Sequence, residues 1–251
     1  MGENITLVFA MSPQLNAQTI LVGVVWYIAF LFSTVCHEGS HALVAKWGGD
    51  LTAFHGGQVS LNPIPHIRRS PWGMIIIPIL SYALFGWMMG WASAPYDPLW
   101  QQRHPRRAAW MALAGPAANL ILCLLAAIAI RIGVHTGTLQ APAPDSIDLA
   151  HLARVTELPG GAVNLGTTFL SVMFVLNLLL FTFNLLPVPP LDGNVGITVL
   201  MKETTAARFV NWTRTSHYAF VGLLAAWYLF GEIFFRIFAF AIHLLYAGAG
   251  Y

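Results

Sequence analysis

Residues 19–47 read TILVGVVWYIAFLFSTVCHEGSHALVAKW, and this stretch decides the class of fold. Glu38 and Lys46 are its only acidic and basic residues apart from the histidines. A helix rises about 1.5 Å per residue, so about 20 apolar residues cross the hydrocarbon core of a bilayer. The stretch is therefore long enough to span a membrane, and its two histidines and its glutamate would lie within that span.

The composition of the whole chain agrees with this segment. Among 251 residues, 12 are Lys or Arg and 10 are Asp or Glu, and the charged fraction of 9% is far below the roughly 25% of soluble domains. Hydrophobic residues make up 57%. An ordinary soluble enzyme is excluded, and we expect an integral membrane protein in contact with a lipid bilayer. The formal net charge of +2 and the absence of a long basic run argue against a nucleic-acid partner.

Four further apolar segments occupy residues 71–93, 108–131, 163–186 and 218–247, the last being one tilted span or two shorter pieces. The pattern predicts an all-α polytopic membrane protein with about four to six transmembrane helices. The connections are too short for an extra soluble domain. We therefore expect a single membrane-embedded domain over residues 1–251, with a core at about 20–200 and a C-terminal helical segment at 218–247.

The charges of the connections predict the topology. Residues 48–70 and 94–107 are both net positive, whereas residues 132–162 are acidic. Positively charged connections favour the cytoplasmic face, so both ends of the segment 71–93 are expected on that face. A full span between them would forbid this arrangement, and the segment is therefore predicted to be re-entrant.

The motif His37-Glu38-Gly-Ser-His41 predicts a metal site in the first segment. Residues four apart share a helix face, so both imidazoles can reach one Zn²⁺, and Glu38 beside it becomes a general base. The alternative is a set of side chains that merely hydrogen-bond inside a helix bundle. Ionisable groups inside a span are costly and usually functional, which favours the metal site.

A catalytic zinc needs a third protein ligand. The candidate carboxylates are Asp192, Glu232 and, more remotely, Asp50 and Asp97. Asp192 is favoured, because three prolines just before it end the preceding helix and leave an extended chain that can turn a carboxylate inward. Glu232 can instead pair with Arg236, which follows four residues later on the same helix face.

The predicted topology and the predicted ligands agree with each other. If segment 71–93 is re-entrant, segment 108–131 leads away from the cytoplasmic face and segment 163–186 returns to it. Asp192 then lies on the same side as the two histidines. We expect a multi-pass protein of a cytoplasmic (inner) type of membrane, with its active site below the surface toward the cytoplasmic side.

Three motifs together resemble the site-2 proteases, a family of intramembrane zinc metalloproteases. The HExxH motif at 37–41 is similar to the family's first signature, Asn184–Gly193 is similar to its N-x-x-P-x-P-x-L-D-G signature, and Gly115–Asn119 resembles its G-P-x-x-N pattern. The resemblance implies a compact member without a PDZ or CBS domain. It also implies one Zn²⁺ per chain on His37, His41 and Asp192, with Glu38 as general base and Asn184 as a substrate-positioning or transition-state hydrogen-bond donor.

The function that we expect is hydrolysis of peptide bonds within or near the transmembrane helices of membrane-protein substrates, as in regulated intramembrane proteolysis. A regulatory membrane partner would have to supply any control. One alternative is a non-proteolytic zinc-binding membrane protein or transporter, which needs no general base at Glu38. A second is a membrane-bound zinc protease that opens to the cytosol and uses a glutamate as third ligand.

Access of water and substrate leads to two further expectations. Gly39, Ser40, Asn119 and Asn184 are predicted to form a polar route for water, although interhelical hydrogen bonding is an equally good interpretation of Asn119. Residues 51–63 are interpreted as a hairpin-like stretch whose edge strand could pair with an unwound substrate.

Overall fold

The protein is described here by a computed structural model covering residues 16–142, 155–159, 164–214 and 216–247. Within these ranges the chain is helical, without any β-strand beyond an isolated bridge between Gln140 and Glu157. The helices in chain order are α1 (Ala17–Trp47), α2 (Thr52–His55), α3 (Pro63–Arg69), a π-helical turn (Trp72–Ile76), α4 (Ile77–Phe85), α5 (Pro98–Arg103), α6 (Pro105–His135), α7 (Leu165–Asn184), α8 (Asp192–Gly196), a 3-10 turn (Ile197–Leu200), α9 (Glu203–Thr213) and α10 (Ser216–Leu245). The predicted all-α fold is confirmed.

Among the described residues, three helices, α1, α6 and α7, are long and apolar enough to cross a membrane. On α1 the side chains of Ile20, Val24 and Ile28 recur every four residues and are 58%, 50% and 54% exposed. Trp26 and Phe30 on the same helix are buried. Since residues four apart share a helix face, one stripe of α1 is left for lipid while the other face packs inside the protein. The chain is an integral membrane protein.

The three spanning helices pack against one another, and α7 is the most buried of them. Apolar side chains such as Val172 and Val175 fill the interface, but Ser33, Asn119 and Asn177 are also fully buried within it. In a membrane, small and polar residues at helix interfaces allow close approach and interhelical hydrogen bonds. Polar groups are therefore part of the packing of this bundle.

Residues 71–93, which are predicted to be re-entrant, double back on themselves in the structure. Their helical part, Trp72–Phe85, is shorter than the roughly 20 residues that a span requires. The chain reverses at Gly86, whose φ of +75° is readily adopted only by glycine, and the Trp91 N–H then donates to the Gly73 carbonyl oxygen at 3.1 Å. The segment therefore ends beside the residues with which it starts.

The C-terminal segment predicted at 218–247 is one continuous helix, α10. At 30 residues it is about 45 Å long. A side chain at Gly222 of α10 would collide with the carbonyl oxygen of Pro189, so the helix packs closely on the proline-rich connection after α7. The proline-rich connection that leads to Asp192 is therefore packed against α10. The acidic residues Asp145 and Asp148 of the predicted outer connection lie outside the described residues.

Candidate metal centre

Two histidines of α1 face one point inside the protein. The helix runs without interruption through the HExxH motif, so His37 and His41 lie one turn apart on the same face. Their Nε2 atoms are 3.0 Å apart, and each residue is 7% exposed. The predicted juxtaposition of these two side chains is therefore present, on the buried side of a spanning helix.

The connection after α7 brings a carboxylate to the same point. α7 ends at Asn184, and the chain turns back so closely that a side chain at Gly193 would collide with the Leu185 carbonyl. Asp192, the first residue of α8, then lies with Oδ2 3.0 Å from His37 Nε2 and 3.3 Å from His41 Nε2. The proline-rich connection thus turns the carboxylate inward, as the sequence predicts.

Asp192 is held as an anion. Burial by itself would raise the pKa of its carboxyl group, but the neighbouring imidazoles of His41 and His37 hold that pKa well below its usual range. The carboxylate therefore contributes a negative charge to the cluster throughout the physiological pH range.

In both imidazole rings, Nδ1, the nitrogen that faces away from the cluster, contacts a hydrogen-bond acceptor. His41 Nδ1 lies 2.7 Å from the Met111 carbonyl oxygen, and His37 Nδ1 lies 2.5 Å from Asn119 Oδ1. A carbonyl oxygen only accepts, so Nδ1 is the donor, and in a neutral ring this leaves the Nε2 lone pair toward the cluster. Such partners are what orients metal-binding histidines.

The geometry of the cluster fits Zn²⁺. One nitrogen of each histidine and one oxygen of Asp192 lie within 4.8 Å of one another. Zinc bonds of 2.0–2.1 Å in a tetrahedron place ligand atoms about 3.3 Å apart, close to the separations of 3.0, 3.0 and 3.3 Å found here. Gly115 of α6 forms one wall, because a Cβ there would collide with Nε2 of both histidines. Two imidazoles and one carboxylate form the donor set of a catalytic zinc site.

Glu38 lies between the two histidines in the sequence and is 6% exposed. Among the parts of the chain that the structure describes, no group donates a hydrogen bond to its carboxylate and no cation pairs with it. Because no hydrogen bond from these parts of the protein occupies its oxygen atoms, the carboxylate is available to a water molecule or a substrate.

Asn184 is the last residue of α7 and is partly buried. Its Nδ2 donates to the Leu180 carbonyl oxygen at 3.0 Å, one turn back on its own helix. The side chain therefore makes no hydrogen bond to the cluster of His37, His41 and Asp192. Its role toward substrate stays a prediction.

The other candidate carboxylates have structural partners. Glu232 pairs with Arg236 at 2.7 Å on the exposed surface of α10, as expected from their spacing. Asp50 accepts hydrogen bonds from the backbone N–H groups of Thr52 and Asp97 at 2.9 and 2.8 Å. Both carboxylates are therefore engaged away from the histidines.

The predicted hairpin at residues 51–63 is wrong. Thr52–His55 is a helical turn, the Gln58 N–H donates back to the Ala53 carbonyl, and the sequence Gly56-Gly57 ends this turn instead of joining two strands. The stretch nevertheless passes close to the motif, because a Cβ at Gly39 would lie 3.4 Å from the Ser60 carbonyl oxygen.

The sequence did not reveal how His37 is held. The sequence interprets Asn119 either as part of a water route or as an interhelical hydrogen-bonding residue. The structure shows the second role, because Asn119 on α6 accepts a hydrogen bond from the ring of His37 on α1, a partner that the sequence does not identify. Asn119 in turn donates to Asn177 at 2.8 Å, and the sequence does not predict a role for Asn177. The available signal was an amide side chain in each of two apolar spans, where polar groups are costly and seldom without a role.

Comparison with known proteins relates the chain to metal-dependent peptidases. A family model described as Peptidase family M50 matches residues 25–229. A relative from Bacillus subtilis that carries the name zinc metalloprotease YwhC is 31% identical over 198 residues, which cover 78% of this chain and 77% of the relative. A relative from Mycolicibacterium smegmatis, named zinc metalloprotease Rip2, is 32% identical over 168 residues, or 65% of this chain and 52% of the relative. The aligned region thus spans about half the length of the second relative, and no solved structure matches the chain significantly.

Proposed function

The chain belongs to peptidase family M50, and we propose that it is an intramembrane zinc endopeptidase whose substrates are other membrane proteins. It would hydrolyse peptide bonds within or near their transmembrane helices. The observation that carries this proposal is the position of the cluster: the ligand atoms of His37, His41 and Asp192 converge among helices apolar enough to span a membrane.

The depth of the cluster supports a membrane-protein substrate. His41 and His37 lie six and ten residues before the end of α1 at Trp47, which corresponds to about 9 and 15 Å along the helix axis. A soluble chain would have to thread to this depth, whereas a segment already in the bilayer reaches it laterally.

His37, His41 and Asp192 are the residues that we propose to hold the zinc. When bound, Zn²⁺ would supply a Lewis acid that polarises the scissile carbonyl and lowers the pKa of water. Glu38 takes the proton from the attacking water and passes it to the leaving amine. Since its carboxylate has no partner in the described parts of the chain, it can accept that proton without first breaking a hydrogen bond.

Asn184 is proposed to position the substrate or to donate to the oxyanion that forms on its carbonyl. Its amide carries two N–H groups, and the Leu180 carbonyl engages one of them. The second N–H is left for the substrate, so this role does not require Asn184 to release its own helix.

We further propose that the site opens toward the cytoplasmic side of a cytoplasmic-type membrane and that residues 1–251 act as one domain. The arginine-rich connections on both ends of the re-entrant segment support this orientation. Control by a separate regulatory membrane protein is compatible with the short connections.

The test is zinc content and proteolysis of purified protein in liposomes that contain a panel of single-span substrates. Wild type should bind about one zinc and cleave, Glu38→Gln should keep zinc and lose cleavage, and Asp192→Ala should lose both. Glu232→Gln, which removes a surface carboxylate of α10, serves as the matched control and should behave as wild type. Zinc binding without any cleavage that depends on Glu38 would instead favour a zinc-binding protein or transporter.

A further inference from the structure

A chain of buried amide groups leads away from His37 into α7. His37 Nδ1 lies 2.5 Å from Asn119 Oδ1, and Asn119 Nδ2 donates to Asn177 Oδ1 at 2.8 Å. Asn177 Nδ2 in turn donates to the Met173 carbonyl oxygen at 2.8 Å and to Ser33 Oγ at 2.9 Å. These hydrogen bonds connect α1, α6 and α7 through Ser33, Asn119 and Asn177, none of which is a proposed zinc ligand.

The hydrogen bonds of this chain run in one direction. The Met173 carbonyl can only accept, so the amide nitrogen of Asn177 must face it. The amide oxygen of Asn177 then accepts from Asn119, whose own oxygen is left to accept from the ring of His37. An amide turned the other way would present a donor to Nδ1 and favour a ring with its proton on Nε2, and such a ring cannot bind a metal through Nε2.

Because the two amides are buried, turning either of them round would be energetically costly. Ser33, Asn119 and Asn177 are each 0% exposed, so water cannot replace a lost partner. The other acceptor of the Asn119 amide is the Ser33 carbonyl oxygen, at a longer 3.4 Å. Asn177 therefore provides the stronger of the two contacts that fix the orientation of Asn119.

We propose that Asn177 is a positioning residue of the peptidase: acting through Asn119, it holds the ring of His37 with the proton on Nδ1 and Nε2 free for the metal. This inference rests on the proposed role of His37 as a metal ligand. It differs from simple helix packing, because packing alone would make Asn177 important for stability and not for metal affinity.

The test compares zinc affinity, measured by competition with a chelator on folded protein in detergent, among variants of α7. Asn177→Leu keeps the approximate volume but removes the acceptor for Asn119, and it should weaken zinc binding 10- to 100-fold, the usual effect of losing a partner of a metal ligand. Asn177→Asp keeps that acceptor and should restore affinity to within about threefold of wild type, as expected if the partner of the ligand is retained.

Ser171→Ala is the matched control. Ser171 lies on the same helix, is equally buried, and its hydroxyl has no partner among the described residues, so zinc affinity should not change. If Asn177→Leu does not fold, Asn177→Ser, whose side chain is too short to reach Asn119, replaces it.

Two further results separate the inference from the proposal on which it rests. Folded Asn177→Leu with wild-type zinc affinity, next to His37→Ala that has lost zinc, would overturn the positioning role alone. If His37→Ala itself kept wild-type affinity, the metal site would be wrong and the positioning role with it. The pattern of reduced affinity in Asn177→Leu and recovery in Asn177→Asp supports the inference even when no substrate has been found.

Discussion

The two histidines of the cluster are held in different ways. His37 and His41 share a helix face, an exposed fraction of 7% and a common target for Nε2. Nδ1 of His41 contacts the backbone carbonyl oxygen of Met111, whereas Nδ1 of His37 contacts the side-chain amide oxygen of Asn119. The backbone of α6 thus orients His41, whereas the identity of one side chain, that of Asn119, orients His37.

This difference determines which substitutions can disturb the orientation of each histidine ring. A backbone carbonyl only accepts a hydrogen bond and remains when its side chain is replaced, so the orientation of His41 tolerates substitution at Met111. An amide can turn round or be lost, so the orientation of His37 depends on Asn119 and on the residues that hold Asn119. We therefore expect substitutions around His37 to alter metal binding more than conservative substitutions around His41.

The largest effect should come from a change that disturbs both histidines at once. A Cβ at Gly115 collides with Nε2 of both rings, so Gly115→Ala should lower zinc affinity more than 100-fold, beyond the usual effect of losing a single supporting partner. Helix propensity alone would favour alanine by about 0.5–1 kcal/mol, so the loss could not be ascribed to a weakened helix. Gly133→Ala on the same helix, which meets only the side chain of Leu139, should keep zinc.

The comparison itself is tested by one pair of variants. Asn119→Leu removes the acceptor behind His37 and should lower zinc affinity 10- to 100-fold. Met111→Leu keeps the carbonyl behind His41 and roughly conserves side-chain volume, so affinity should fall by less than about threefold. Chelator competition measures both, and equal losses in the two variants would contradict the distinction between the histidines.

The pH dependence of the metal-free protein tests the charge of Asp192, which contacts both rings. Its folded-state pKa is below the usual value, so its contribution to stability is present above about pH 4 and is lost as the pH falls further. In the metal-free protein a ring that carries a second proton, on Nε2, donates to this carboxylate. At pH 7 Asp192→Asn should therefore be destabilised by about 1.5 kcal/mol, a usual value for hydrogen bonds to a charged group. Thermal unfolding should show this gap narrowing at pH 3, and a gap independent of pH would contradict the assignment.

The smallest effect is expected far from both histidines. Glu232 and Arg236 form an exposed pair four residues apart on α10, and such pairs contribute about 0.3–0.5 kcal/mol. Glu232→Gln should therefore shift thermal unfolding only slightly and leave zinc content at the wild-type value. Loss of zinc in this variant would instead indicate that Glu232 is a zinc ligand.

The sequence predicts those features that depend on local pattern. Apolar run lengths identify the spanning helices, the HExxH spacing places His37 and His41 on one face, and the charges around residues 71–93 predict the re-entrant segment. Asp192 follows because prolines must end α7 and few other carboxylates compete. Each of these inferences needs only the neighbouring residues and the solvent.

The features that the sequence does not predict depend on contacts between distant residues. Asn119 and Asn177 are 58 positions apart, and their hydrogen bond exists only once α6 and α7 are packed. The hairpin at 51–63 fails for a different, local reason. Gly56 and Gly57 suit a strand turn as well as the end of a helical turn, and the contact of Gln58 with Ala53 decides between them.

The composition of the zinc site can be measured directly by X-ray absorption at the zinc edge on the purified, zinc-loaded protein. Our account predicts two imidazole nitrogens and at least one carboxylate oxygen at about 2.0–2.2 Å in the wild type, and no zinc bound at this site in His37→Ala or Asp192→Ala. A sulfur ligand, or a ligand set that does not change in either variant, would contradict it.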